Sequence, residues 1–148
     1  MKTEIEKKFL VIDPAFKDQA TSHHHILLGY LSKDPERRVR IRIKDKEGWL
    51  TIKGKSNTAG TTRLEWETAI PYEESKALLR LAIGKPIEKI RYIIPQEELN
   101  FEVDEFLSPN NNLILAEIEL PTENTTFHRP HWLGKELTGD PLYYNAMM

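Results

Sequence analysis

Near the N-terminus, Glu4-Ile5-Glu6-Lys7-Lys8 sets two carboxylates and an ammonium at alternate positions. In an extended strand alternate side chains share a face. Glu4, Glu6 and Lys8 therefore project together at steps of roughly 7 Å, while Ile5, Phe9 and Val11 point the other way. Carboxylates so placed suit a hard divalent cation, and the ammonium beside them suits an anionic ligand. Alone, such a stretch is equally an ordinary solvated strand face. Its recurrence along the chain changes that reading. Arg38, Arg40 and Arg42; Lys53; Arg63, Glu65 and Glu67; Lys89 and Arg91; Glu102 and Asp104; and Glu117 and Glu119 all alternate with apolar or bulky residues, sorted by sign and type.

The elements that must carry these residues follow from the same alternation. Eight strands are expected, near 4–11, 26–31, 38–44, 49–55, 63–70, 87–94, 99–106 and 113–120, separated by turn signals such as Asp13-Pro14, Asp34-Pro35 and Ser108-Pro109-Asn110. Lys46-Glu47-Gly48 reads as a hairpin turn, and 15–21 as a polar connection with one helical turn. Ala77, Leu78, Leu81 and Ala82 recur at helical spacing, with Glu73 and Glu74 ahead and Gly84 behind, which predicts a helix of about three turns over 72–83 packed on the sheet, Leu79 and Ile83 widening its apolar side. A short helix is expected over 131–137 after Pro130. His23-His24-His25 reads as a loop or strand edge, because three consecutive strand residues cannot all face one ion.

Composition narrows the class. A chain of 148 residues forms one domain, 1–148, with a core of its own. Its 21 Lys+Arg against 23 Asp+Glu leave a net charge of -2, which supplies no basic field for nucleic acid. With no cysteine, disulfides and thiolate metal sites are excluded. The first residues lack the apolar run of a signal peptide and no stretch approaches a membrane span, so a soluble, cytoplasmic protein without nucleic-acid or membrane partners is expected. The sequence does not fix the oligomeric state, and a homodimer is left open.

The fold class expected is mainly β (α+β), an eight-stranded antiparallel barrel closed with the charged faces inward and the apolar faces packed outward against helices and loops. Buried charges need partners, so such a lumen suits a polyanion accompanied by divalent cations. Arginine forks match phosphate oxygens, and carboxylates select Mg²⁺ or Mn²⁺. Metal-assisted phosphoryl transfer to water needs little more than this positioning and charge neutralisation.

In this order the charged residues resemble the CYTH domain, or triphosphate tunnel metalloenzyme, superfamily, over nearly the whole chain. Its N-terminal Glu-x-Glu-x-Lys is met by Glu4, Glu6 and Lys8. The Arg-x-Arg strand matches Arg40 and Arg42, the next strand's lysine Lys53, and Arg-x-Glu-x-Glu matches Arg63, Glu65 and Glu67. Lys89 and Arg91, Asp104, and the second Glu-x-Glu of Glu117 and Glu119 complete the set. The resemblance implies an eight-stranded tunnel in which Lys8, Arg40, Arg42, Lys53, Arg63, Lys89 and Arg91 bind a triphosphate. It implies Glu4, Glu6, Asp104, Glu117 and Glu119 as ligands of Mg²⁺ or Mn²⁺, and Lys8 with Tyr30 as the pair that assists the attacking water. Gly139-Asp140-Pro141-Leu142-Tyr143-Tyr144-Asn145 resembles the C-terminal segment that can shut the tunnel in short bacterial members.

Cyclase members of the superfamily carry His-Phe ahead of the first Glu, where this chain has Met1-Lys2-Thr3. The resemblance therefore implies hydrolysis of a small-molecule substrate, inorganic triphosphate, to pyrophosphate and phosphate. The alternatives are a nucleoside or thiamine triphosphatase, an adenylyl cyclase, or a polyphosphate-binding module without catalysis. A nucleoside or thiamine group would need an aromatic platform at the tunnel mouth, and Trp49, Trp66 and Trp132 are expected instead to pack in the core or on the outer face.

Overall fold

The charged and apolar alternation is realised as a closed antiparallel barrel. A computed structural model describes residues 2–145 and Met148. Its strands are β1 (Lys2–Val11), β2 (Ser22–Ser32), β3 (Arg37–Lys44), β4 (Glu47–Gly54), β5 (Thr62–Ile70), β6 (Ile87–Gln96), β7 (Leu99–Ser108) and β8 (Ile114–Glu119). They lie in the order β5-β4-β3-β2-β6-β7-β8-β1, and β1 pairs back with β5, so eight strands close on themselves as expected. Closure gives every strand two neighbours and hides the edges. Among the described residues no helix is long and apolar enough to cross a membrane.

A ninth strand, β9 (Leu133–Glu136), stands where the short C-terminal helix was expected. The cause lies in β1. On one edge its residues Glu6–Leu10 pair with β8; on the other, Lys2–Ile5 pair with β5, which leaves the stretch from Phe9 to Val11 unpaired there. β9 fills that gap, with Phe9 opposite Glu136 and Val11 opposite Leu133. Unsatisfied backbone groups thus override a weak local helix signal. The triple histidine stands at a strand edge, one of the two expected placements, rather than in a loop, since the β2–β3 ladder begins only at Ile26. His23, His24 and His25 pair with Tyr92, Arg91 and Ile90 inside the β2–β6 ladder, and their rings alternate between faces. His24 and His25 are bonded to Asp45 and Glu88 at 2.9 and 2.5 Å.

The outer wall carries the main core. Phe9, Ile94, Phe101, Val103, Ala116 and Ile118 are buried beneath Phe16, from a short 3-10 helix over Pro14–Gln19, and Trp132. Trp132 meets Phe101 edge-on at 5.2 Å, and its indole N–H donates to Gln19 at 3.2 Å. Each large side chain removed from water here contributes about 1.5–3 kcal/mol. The helix α1 (Tyr72–Leu79) is a turn shorter than expected. The Ile83 N–H bonds to the Tyr30 carbonyl at 2.8 Å, drawing the chain across β2 before the helix can continue. Leu79 packs on Ile41 and Ile43, whereas Leu81 and Ile83 are exposed. The outer face is also covered unevenly, since Ile52, Leu64 and Trp66 on β4 and β5 meet solvent rather than a helix or loop.

The β3–β4 hairpin turns at Asp45-Lys46, with Asp45 at φ 56° and Lys44 paired with Glu47, so Gly48 belongs to β4 and not to the turn. Its glycine serves packing. A Cβ at position 48 would lie 1.6 Å from the Ser75 hydroxyl of α1 and 2.9 Å from the Ile70 carbonyl. We expect Gly48→Ala to lose about 1–3 kcal/mol of stability through overpacking. Urea denaturation measures this, and an unchanged midpoint would show that α1 does not seat on that glycine.

Candidate active site

Strand alternation turns the charged rows into one lining. Glu4, Glu6 and Lys8 from β1, Arg38, Arg40 and Arg42 from β3, and Lys53 from β4 face a common interior. Arg63, Glu65 and Glu67 from β5, Arg91, Glu102, Glu117 and Glu119 from β6 to β8, and Tyr30 of β2 complete it, around a cavity of about 180 Å³. An apolar set including Ile26, Leu28, Ile87, Phe106 and Leu115 fills the neighbouring part of the interior. The C-terminal strap, residues 137–145, lies against that set through Leu137 and Tyr143 and turns Tyr144 and Asn145 into the cavity.

The lining charges are set against each other. Lys53 donates to Glu4 at 3.2 Å and lies 3.3 Å from Glu65, while Arg63 reaches Glu4 at 3.4 Å and Glu6 at 3.5 Å. Arg40 and Arg42 each stand 3.7 Å from Glu67, which also accepts from Thr51 at 2.6 Å. The Lys8 ammonium lies 3.5 Å from Glu117 and donates to the Tyr143 carbonyl at 2.9 Å. The Nε–H groups of Arg38, Arg40 and Arg42 are buried without an acceptor.

Titration behaviour follows from this crowding. Burial, with Glu117 and Glu4 nearby, pushes the Glu6 carboxyl well above the usual carboxylate range. Burial also pushes Glu117 up, but Lys8, Arg91 and Lys89 outweigh it and hold Glu117 well below the carboxylate range. Burial is the largest influence on Arg42 and, with Arg40 and Arg91 beside it, brings the guanidinium down to about 10. A site that lowers an arginine and raises a glutamate crowds like charge on each wall.

The structure brings nearly every sequence-predicted residue to the cavity. Glu4, Glu6, Lys8, Tyr30, Arg40, Arg42, Lys53, Arg63, Arg91, Glu117 and Glu119 all line it. Lys89 and Asp104 stand behind the lining and are almost fully buried. Asp104 accepts from Lys89 at 2.6 Å and from Arg91 at 2.8 and 2.9 Å, so both of its oxygens are engaged. Among the described residues no three acids converge tightly enough to hold an ion in this arrangement, because most are turned toward the tunnel's own cations. Arg38, Glu65, Glu67 and Glu102 belong to the lining by the same strand alternation that revealed the others. Tyr144 and Asn145 carry no local signal beyond their place in the C-terminal segment.

A closed barrel whose interior is built of opposed arginine, lysine and glutamate rows defines a charged-tunnel protein for phosphorylated anions. The CYTH domain model matches residues 2–144, and the chain belongs to this family. It is 46% identical over 147 residues to an inorganic triphosphatase of Acetivibrio thermocellus, covering 99% of this chain and 92% of that one. A solved structure of another inorganic triphosphatase superposes with a TM-score of 0.70 at 31% identity, covering 99% and 94% of the two chains. A Hippeastrum protein whose structure is described with a dominant triphosphatase activity shares the fold, with a TM-score of 0.65, 15% identity and 80% coverage of each chain.

The Asp104 ion pairs give a stability test. Burial pushes the Asp104 carboxyl up, but Arg91 and Lys89 prevail and hold it below its ordinary value of 3.8. A lowered folded value means that its stabilisation is complete above the ordinary range and fades only as pH falls through the lower value. Asp104→Asn leaves two buried cations without their carboxylate and should cost about 3–5 kcal/mol. Burial already brings the Lys89 ammonium down to about 8 with Asp104 beside it, so without that carboxylate it can shed its proton more readily at pH 7. Chemical denaturation should therefore show a deficit at pH 5 at least as large as at pH 7; none at either pH would contradict the pairing.

Proposed function

We propose that this chain hydrolyses inorganic triphosphate to pyrophosphate and phosphate with Mg²⁺ or Mn²⁺, acting as a single domain over 1–148 in the cytoplasm. The carrying observation is the set of buried guanidinium Nε–H groups of Arg40 and Arg42, without acceptors, beside a cavity that Glu4, Glu6, Glu117 and Glu119 also line. The identity to an inorganic triphosphatase along almost the whole chain supports the same reading.

Lys8, Arg40, Arg42, Lys53, Arg63 and Arg91 hold the anion, with Lys89 reinforcing them from behind. Glu4, Glu6, Glu117 and Glu119 offer only oxygen ligands, a donor set that fits a hard divalent ion. Burial and the neighbouring carboxylates of Glu117 and Glu4 raise the Glu6 carboxyl, a crowding of negative charge that a cation would relieve. Asp104, expected as a further ligand, acts here by holding Arg91 and Lys89 in place. A divalent ion at these glutamates would neutralise charge on the transferred phosphoryl group and lower the pKa of the attacking water. Binding is an exchange of partners: the anion draws Lys53 and Arg63 from Glu4 and Lys8 from Glu117, which frees those carboxylates for metal. Lys8 and Tyr30, both at the cavity surface, orient the water toward a terminal phosphorus. Its oxygen bonds to that phosphorus as the bridging P–O bond breaks, so triphosphate and water become phosphate and pyrophosphate.

A nucleoside or thiamine triphosphatase is disfavoured by the placement of the tryptophans. Trp132 is core, Trp66 lies on the outer wall, and none of the three lines the cavity. Phosphate release from tripolyphosphate, ATP, thiamine triphosphate and pyrophosphate, each with Mg²⁺ and with Mn²⁺, tests the assignment. Tripolyphosphate is expected to be the preferred substrate, its turnover abolished by EDTA and reduced about 100-fold or more by Glu4→Gln with Glu6→Gln. Activity surviving that double substitution would refute the roles given to these glutamates. Tight tripolyphosphate binding without turnover would make the protein a binding module.

A further inference from the structure

The arginines of β3 are not equivalent. Arg40 and Arg42 share Glu67, whereas among the described residues no carboxylate lies within ion-pair distance of Arg38. Arg38 is nonetheless buried, at 8% exposure, and its Nε–H has no acceptor. Its guanidinium stands 5.0 Å from the centre of the Tyr144 ring, which also lies 5.6 Å from the Lys8 ammonium and 5.9 Å from the Arg63 guanidinium. An aromatic face eases the burial of a cation but does not supply its counter-charge. Arg38 is thus a desolvated cation, next to another cation, aimed into a cavity built for anions.

The strap defines what lies beyond it. The Leu137 N–H donates to the Lys8 carbonyl at 2.7 Å, the Lys8 N–H to the Thr138 hydroxyl at 3.0 Å, and the Lys8 ammonium to the Tyr143 carbonyl at 2.9 Å. Gly60 and Gly139, at φ 76° and 79°, meet so closely that a Cβ on Gly60 would lie 2.3 Å from the Gly139 Cα. Tyr144 is therefore fixed from both sides as a wall behind Arg38, one strand step of roughly 7 Å past Arg40.

Resting on the triphosphatase reading above, we propose that Arg38, backed by Tyr144, receives the free terminal phosphoryl group of the substrate at the strap-closed end of the cavity. A polyphosphate must then enter with an unsubstituted end first, and a chain substituted at both ends is rejected. Arg38 becomes a specificity-determining residue, distinct from the cations that grip any triphosphate.

Steady-state hydrolysis of tripolyphosphate, with diadenosine triphosphate as inhibitor, tests this. Loss of a charge-assisted contact should raise KM about 10- to 100-fold in Arg38→Gln with kcat little changed, and Arg38→Lys should recover much of the loss. The inhibition constant of diadenosine triphosphate, weak in the wild type, should not change in Arg38→Gln, because that compound has no free end to lose. Tyr144→Ala should let the doubly substituted compound bind about tenfold more tightly, a readout that stands if the Arg38 variants fail to fold. An unchanged KM in Arg38→Gln, equal losses for both compounds, or a Tyr144→Ala variant that rejects diadenosine triphosphate as the wild type does would overturn the inference while leaving the triphosphatase reading intact. A wild-type protein inert toward tripolyphosphate would overturn both.

Discussion

A guanidinium or carboxylate moved from water into the middle of a barrel loses several kcal/mol of hydration unless opposite charge replaces it. This constraint governs the interior of the molecule. Lys53 and Arg63 answer Glu4, Lys89 and Arg91 answer Asp104, Lys8 answers Glu117, and Glu67 answers both Arg40 and Arg42. The compensation is incomplete in a specific way: burial and the nearby Glu117 and Glu4 raise the Glu6 carboxyl, and the β3 arginines retain bonding capacity. Such an interior is held ready for a ligand that is itself negative and arrives with positive ions, because that ligand completes both sets at once.

Only a closed sheet can present these rows to each other. β1 is the strand on which closure depends, since it pairs with β5 through its first half and with β8 through its second, joining the arginine-rich wall to the acidic one. The same strand recruits β9 along its remaining edge, and β9 leads directly into the strap that brings Tyr144 to the cavity. Backbone pairing that satisfies one strand thus also positions the residue that closes the site.

The site was legible from sequence to the extent that it obeys a period of two. Each inward row lies on one strand and needs no knowledge of the others, so Glu4, Glu6 and Lys8, the β3 arginines and the Glu117–Glu119 pair were all readable from alternation. What failed depended on contacts distant in sequence. The helix ends early because Ile83 is bonded to Tyr30, Gly48 lies in a strand because the β3–β4 register pairs it with Ile43, and 133–136 is extended because β1 offers an edge. Asp104 looks the same as the other acids in sequence. Its place behind Arg91 is set by the β6–β7 register, which puts those two residues directly opposite each other.

The central claim is that one cavity holds triphosphate on its arginine and lysine rows and metal on its glutamates. Diffraction from crystals grown with tripolyphosphate and Mn²⁺ addresses it most directly, because the anomalous signal of manganese fixes the ion independently of the anion. The account predicts an anomalous peak among Glu4, Glu6, Glu117 and Glu119, with the phosphate chain along Arg40 and Arg42 and Lys53 turned from Glu4 toward it. Phosphate bound outside the barrel, or manganese bound away from those glutamates while their ion pairs to Lys53, Arg63 and Lys8 persist, would contradict it.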